Sequence, residues 1–250
     1  SEKDYIIYLN NTEYNLEKEK RIIDSLFHMD IAGVIIAPVS SEHSHIMKLA
    51  EADIPYIYLN RAFEDDLSHC IRLDNQKASY EAVKHMINMG HTNIGGIFLN
   101  LKDSSCQEQY EGMLHAFKDY NIDYSTNNFL FDINPEEMDS SNKIFHFLQA
   151  PNRPGAIFAS NDMIAFNIYR AAYILGIRIP DQMSVFGYDD CTMANFVTPP
   201  LSTVSVPNRQ IASIAVDYIH HFQETGEYKT LPILKPSLII RNSVKNLNYL

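Results

Sequence analysis

The chain has no tryptophan, nine glycines and three cysteines among its 250 residues, and it is short of positive charge. Each shortage excludes something. Cys70, Cys106 and Cys191 are an odd set with no C-x-x-C spacing, which argues against a disulfide framework or a zinc site and fits a reducing compartment. The nine glycines form no G-x-G-x-x-G turn, no G-x-x-x-x-G-K-[ST] loop and no G-x-S-x-G elbow. Twenty Lys and Arg face 31 acidic residues, a net charge of −11, and no basic block occurs. A surface that neutralises DNA phosphates needs clustered cations, so any nucleic-acid contact must come from a segment outside this chain. No run approaches the roughly 18 apolar residues of a membrane span. The polar start Ser1-Glu2-Lys3-Asp4 has no apolar signal core behind it, so a cytoplasmic location is expected.

What is present is an alternation. Short β-branched runs are followed by polar turns and then by segments with apolar residues at helical spacing. Strands are expected at residues 5–9 (YIIYL), 33–37, 56–59, 70–73, 94–99, 129–131, 156–159, 184–187 and 237–241. Helices are expected at 16–27, 43–52, 77–89, 107–120, 135–148, 163–175 and 211–222, with Asp162 as the N-cap of the helix at 163 and Pro135 in the first turn of its own helix. Runs such as GVIIA suit parallel strands covered on both faces. The expected fold is therefore α/β, and 250 residues are comfortable for two lobes. Parallel sheets bind ligands outside the carboxyl ends of their strands. Function should accordingly lie in the loops at 37–41, 60–61, 100–105, 160–162 and 188–191.

Those loops offer little chemistry for catalysis. His43-Ser44-His45 is the nearest approach to a metal pair and has no third ligand in sequence. His220-His221 suits the exposed side and end of a helix. Of two paired carboxylates, Asp65-Asp66 suits a solvated loop. Asp189 in the pair Asp189-Asp190 follows a buried strand, where it either accepts hydrogen bonds from ligand hydroxyls or braces the next loop. No second titrating group is aimed at the same place, so the chain is not expected to be an enzyme, and no cofactor or metal is implied.

Read in order, several stretches resemble the effector-binding core of the LacI/GalR family of bacterial transcription regulators. They are GAIFASND at 155–162, LGIRIP at 175–180, SVFGYDD at 184–190, PPLSTV at 199–204 and PSLIIRNSV at 236–244, preceded by IAGVIIAP, IPYIYLNR and LDNQKASYEAVKHMINMGH. The resemblance covers nearly the whole chain. It implies two similar lobes, each a doubly wound parallel sheet of the type I periplasmic-binding-protein kind, with a ligand cleft between them. The first lobe would hold residues 1–72 and 208–235, the second 73–207 and 236–250. It also implies a homodimer, a small-molecule effector whose binding favours the closed lobes, and DNA binding through a fused N-terminal domain. Relative to the family, a strand and helix that should precede residues 5–9 are absent, so the chain is expected to be a fragment. GIFLNLKD at 96–103, with LIIRNSVKNLN at 238–248, is similar to arabinose-responsive repressors in which the core is fused to a GntR-type winged helix.

The resemblance also nominates effector-binding residues. Asn161 and Asp189 occupy positions that hydrogen-bond ligand hydroxyls, and Asn60 and Arg61 fit the first-lobe loop facing the cleft. Phe158 stands where a ring packs on the ligand or simply fills the core. Many members carry R-x-x-G where this chain has Gln109-Tyr110-Glu111-Gly112. Gln109 cannot give the bidentate, charge-assisted grip of a guanidinium, which points to a neutral sugar instead of a phosphorylated or carboxylated ligand. A periplasmic sugar-binding protein of a transporter is the alternative reading on the same fold.

Overall fold

The computed structural model describes residues 5–13, 15–40, 42–61, 63 and 65–248. Ser1 to Asp4, and Ser41 of the 37–41 loop, lie outside them. The chain divides into two compact units, Ser1–Arg72 with Arg209–Pro232 and Leu73–Asn208 with Ile233–Leu250.

The first unit starts with helix α1 (Leu16–Leu26), whose N-cap Asn15 accepts from the Lys18 amide. Strand β1 (Val34–Ile36), helix α2 (Ser44–Glu51), strand β2 (Tyr56–Leu59) and strand β3 (Cys70–Leu73) follow. The strands run parallel in that order, Val34 beside Tyr56 and Tyr58 beside Cys70. Ile23, Ile46, Leu49, Tyr56 and Tyr58 build the core. The strand expected at residues 5–9 is not one. The segment lies outside any sheet, with Ile6, Ile7 and Leu9 at least 80 % exposed. A β-branched run becomes a strand only where a neighbour completes its ladder, and no strand of the described residues does so.

The second unit begins with helix α3 (Asn75–Asn88), strand β4 (Ile94–Ile97) and helix α4 (Ser104–Asp119), then strand β5 (Phe129–Leu130) and helix α5 (Met138–Gln149). Strand β6 (Ala156–Ala159), helix α6 (Asp162–Ile174), strand β7 (Ser184–Asp189) and strand β8 (Ser202–Ser205) complete its first run. Helix α7 (Asn208–Thr225) returns to the first unit, and strands β9 (Ile233–Leu234) and β10 (Ser237–Ile239) close the chain. Successive residues of β6 and β7 face opposite sides, as a pleated strand requires. Phe158 and Phe186 join Val83, Met86, Met113 and Phe117 under α3 and α4. Ile157 and Val185 join Ile144, Leu148, Ile164 and Ile168 under α5 and α6. Helices α3 and α4 approach so closely that a Cβ on Gly112 would come within 2.0 Å of the Gln76 carbonyl oxygen.

The sheet order of the second unit is β10-β8-β7-β6-β4-β5, antiparallel only between β10 and β8. From β4 the chain steps outward to β5, then returns past β4 to β6. The order therefore reverses between β4 and β6, and the crevice beyond their carboxyl ends is the topological switch point where such sheets bind ligands.

Three local expectations need correction. Helix α5 starts at Met138, because Asn134 to Glu137 form a turn closed by a Glu137 N–H···O=C Asn134 bond, leaving Pro135 outside the helix. Ser202–Ser205, just after Pro199-Pro200, form strand β8, which is not among the expected strands. The N-cap of α6 is Asn161, in extended conformation, and Asp162 is the first helical residue.

Candidate ligand site at the strand ends of the second unit

At the switch point, Ser160 ties the ends of β4 and β6. Its amide donates to Ile97 O at 2.9 Å, and its hydroxyl accepts from the Leu99 amide at 3.0 Å. Asn161 follows, and its Oδ1 accepts from the Ile164 amide at 2.8 Å, which caps α6. The cap uses the carbonyl half of the amide. Among the described residues no hydrogen bond involves its Nδ2, so the half-buried side chain offers donors.

Asp162 is buried, with 1 % exposure, and was expected only as a cap. Its Oδ1 accepts from the Thr203 hydroxyl at 2.7 Å and its Oδ2 from the Cys191 amide at 2.8 Å. Burial raises its carboxyl above the ordinary range, the Thr203 and Cys191 bonds oppose this, and the charge of Asp190 adds to it. Gly187 makes room: a Cβ there would fall 2.3 Å from Asp162 Oδ1.

The Cys191 bond clamps the turn that leaves β7. In that turn Asp189 has φ 108° and Asp190 φ 54°, two consecutive non-glycine residues in the region that favours glycine. Such conformations cost about 1–3 kcal/mol each and persist where surrounding structure imposes them. The second brace is Arg241, which donates to Asp190 Oδ1 at 2.6 Å and to Leu201 O at 2.7 Å. Asp189 itself keeps an exposed outer edge. Its carboxyl is nonetheless pushed up to about 7, first by the protein crowded around it and then by the charge of Asp162. At neutral pH it is thus poised between donor and acceptor forms.

Gln109 lies on α4, buried, and its Oε1 has no hydrogen-bond partner. Its amide bonds the Tyr188 hydroxyl, which donates to Asn75 Oδ1 at 2.8 Å. Asn75 Nδ2 in turn reaches Glu108 at 2.9 Å. Burial raises the Tyr188 hydroxyl far above its usual range, so it stays protonated. An orphaned buried acceptor costs about 1–3 kcal/mol, which a ligand hydroxyl donating to Oε1 would recover. Phe158 is fully buried, its ring against Phe98 and Tyr188 in the core.

The first-unit candidates stand at its own strand ends. Asn60, with φ 61°, donates its amide to Ile71 O at 3.0 Å. Arg61 donates through Nη1 to Pro38 O and accepts from Cys70 Sγ at 3.4 Å, so it joins the loops after β1 and β2. The same loop is held by buried Glu19, which accepts from the Val39 amide at 3.0 Å and pairs with His45 at 2.9 Å. His43 pairs separately with Asp65 at 3.1 Å and stacks on Phe63. Asp66, expected in a solvated loop, is buried and accepts from the Tyr56 hydroxyl at 2.8 Å. Among the described residues no three His, Cys, Asp or Glu side chains could hold a metal ion. Nor is any described helix long and apolar enough to cross a membrane.

The structure therefore gathers Asn161 and Asp189 around Asp162 and Thr203, and sets Gln109 against Tyr188, the residue before Asp189. Thr203, Tyr188, Asn75 and Arg241 are not singled out in the sequence, and Asp162 stands there only as a cap. Thr203 and Arg241 sit inside PPLSTV and PSLIIRNSV, so the motifs carried a signal whose physical content is the bracing of the Asp189-Asp190 turn.

The periplasmic binding protein-like domain family matches over residues 83–244. The chain is 28 % identical over 246 residues to the HTH-type transcriptional repressor PurR of Photobacterium profundum, covering 98 % of this chain and 73 % of that protein. It is 30 % identical over 252 residues to the probable HTH-type transcriptional repressor ExuR of Bacillus subtilis, covering 98 % and 72 %. The arabinose metabolism transcriptional repressor of Geobacillus stearothermophilus is 25 % identical over 98 % of this chain and 70 % of its own length. A crystal structure of a ribose operon repressor, so assigned, from Burkholderia thailandensis superposes with a TM-score of 0.83 at 22 % identity, covering 94 % and 87 %. These relatives are transcriptional repressors, not enzymes, and the transport alternative does not fit them. The chain belongs to the periplasmic binding protein-like domain family, in the form that serves as the effector-binding core of LacI/GalR-type transcription regulators.

Proposed function

We propose that the chain senses an uncharged sugar or similar polyol in the cytoplasm, as part of a homodimer, and has no catalytic activity of its own. DNA would be read by a separate N-terminal domain, biased by the effector through a shift between conformations of the core. The observation that carries this reading is the Asp189 turn. Two aspartates with positive φ are held by Asp162 and Arg241, and one of them presents a carboxyl with a pKa of about 7. Asp189 would accept from ligand hydroxyls, Asn161 Nδ2 would donate, and Gln109 Oε1 would accept a further hydroxyl. Phe158 would act one layer back, through Tyr188. Asn60 and Arg61 would contribute from the first unit. Arg61 is the one cation among these six candidates and already donates to Pro38 O, so a phosphate or carboxylate ligand would face the Asp189 acid with little compensation.

The test is calorimetry and thermal shift with neutral pentoses and hexoses, phosphorylated sugars, sugar acids and nucleobases. Binding by a neutral sugar, lost in Asp189→Ala and Asn161→Ala without unfolding, is the expected result. Tight binding only by an anionic sugar, or a neutral sugar bound equally by both variants, would overturn the reading.

A further inference from the structure

The polar side chains where α3, α4 and the end of β7 meet form a relay that has a direction. Gly112 lets the two helices close together. Asn75 and Gln76 at the start of α3 then donate to Glu108 and Glu111 of α4, at 2.9 and 3.3 Å. Tyr188, next to last in β7, donates its hydroxyl to Asn75 Oδ1 at 2.8 Å. Asn75, Tyr188 and Gln109 are all buried, so water does not compete for their bonds.

Each bond in this series dictates the sense of the next. An ionised carboxylate only accepts, so Glu108 requires the NH2 half of the Asn75 amide. That turns Asn75 Oδ1 toward Tyr188, which gives it its one proton. Burial keeps the hydroxyl from ionising, and with its proton spent the Tyr188 oxygen meets Gln109 as an acceptor. Gln109 answers with Nε2, and Oε1 is left buried without a partner. A glutamine amide with no such neighbour could exchange its two ends by a half-turn of its terminal torsion. Here the end left over is the carbonyl.

We propose that Tyr188 is a specificity-determining residue of the effector site: set by Asn75 and Glu108, its hydroxyl fixes which end of Gln109 the site presents, so that a ligand group able to donate a hydrogen bond is selected over one that only accepts. This rests on the function proposed above, in which Gln109 lines the effector site. Tyr188 acts through Gln109 and is a positioning residue. The effector is narrowed accordingly: a hydroxyl belongs opposite Gln109, and a carbonyl, ether or fluorine does not. The sense is also reversible from the far end of the relay. Glu108→Lys puts a donor-only group beside Asn75, which turns Asn75 Nδ2 toward Tyr188, sends the Tyr188 proton to Gln109 Oε1 and leaves Nε2 for the ligand.

Calorimetry on the full chain takes D-ribose, L-arabinose, D-glucose and D-galactose, each beside its monodeoxyfluoro derivatives, in which one hydroxyl at a time loses its donor. For a sugar that binds, the position whose fluorine penalty disappears in Gln109→Met is the one opposite Gln109. That penalty should be at least about 10-fold in the parent chain, the ordinary cost of an unmet buried acceptor. In Tyr188→Phe it should fall to about threefold or less, with the penalties at other positions unchanged. In Glu108→Lys, a change at a half-buried position, the fluorinated derivative should bind better than the sugar itself. Loosened packing would instead weaken every derivative alike. A readout without ligand is the side-chain amide signal of Gln109 in nitrogen-15 NMR, assigned by its loss in Gln109→Met. It should shift and exchange faster with water in Tyr188→Phe. A fluorine penalty that Tyr188→Phe leaves in place, or an amide signal that stays where it was, would overturn the proposal. If none of the sugars binds, the neutral-sugar reading falls, and the amide signal still decides the relay: movement supports it and constancy overturns it.

Discussion

Replacing Asp162 by Ala removes a group that touches no ligand in the proposed site, yet it should abolish effector binding. Thr203 is fully buried, so its hydroxyl loses its acceptor without water to replace it, at about 1–3 kcal/mol. The Cys191 amide is half-buried and can find water, so its loss adds about 1 kcal/mol. Relief of a desolvated carboxylate and of its repulsion with Asp190 offsets part of this, which leaves a net loss of about 1–3 kcal/mol. For a unit of about 150 residues this lowers the melting temperature by roughly 2–12 °C. Differential scanning calorimetry should show the loss in the transition of the second unit. A second readout separates bracing from stability. With the Asp162 charge gone, the Asp189 carboxyl should titrate below 7, because a neighbouring negative charge is one of the two causes of its elevation. Carboxyl-carbon NMR follows that titration directly. A melting temperature within about 1 °C of the parent, or an Asp189 titration that does not move, would refute the reasoning.

Other perturbations test the same construction. Gly187→Ala drives a Cβ to 2.3 Å from Asp162 Oδ1 and 2.9 Å from the Leu201 side chain, and should cost about 1–3 kcal/mol in urea unfolding while displacing the brace. Gln109→Met removes an orphaned acceptor, so the unliganded protein should hold its stability or gain about 1 kcal/mol, while calorimetric affinity for the effector drops. Asp189 binds its proton more tightly folded, at about 7, than at the ordinary carboxyl value of 3.8, so its contribution to stability is fullest below the unfolded value and is lost as pH rises through 7. Asp189→Asn should flatten that limb of the stability–pH profile. Effector affinity should rise over the same pH range if the carboxylate is the acceptor form, and a flat affinity profile would count against it.

Much of the fold was legible because it rests on local patterns. The parallel strands at 56–59 and 156–159 are continuous apolar runs, and the helices keep an apolar period and end at glycines such as Gly90 and Gly176, both with positive φ. What failed depends on neighbours distant in the chain. Residues 5–9 have the composition of a strand without a ladder to join. Strand β8 is defined by its pairing with β7 and β10, not by its four residues. The site divides the same way. Asn161 and Asp189 could be named because they sit at the ends of recognisable strands. Asp66 has the local sequence of a solvated loop, because nothing near it in the chain announces the Tyr56 hydroxyl. Arg241 lies 51 residues from its partner Asp190, a separation no local pattern spans.

Three neighbouring aspartates show why a brace and a ligand contact are hard to tell apart in sequence. Asp162, Asp189 and Asp190 all follow strand ends, yet their partners give them different work. Asp190 is neutralised by Arg241, and Asp162 is satisfied by two protein donors and sealed from solvent. Asp189 alone keeps an exposed edge, and it is held in a conformation that a relaxed chain would leave. Its raised pKa follows first from the protein crowded around it and then from the charge of Asp162, while Arg241 is committed to Asp190. An acid in a turn this heavily braced is accounted for when a ligand supplies the missing hydrogen-bond donors.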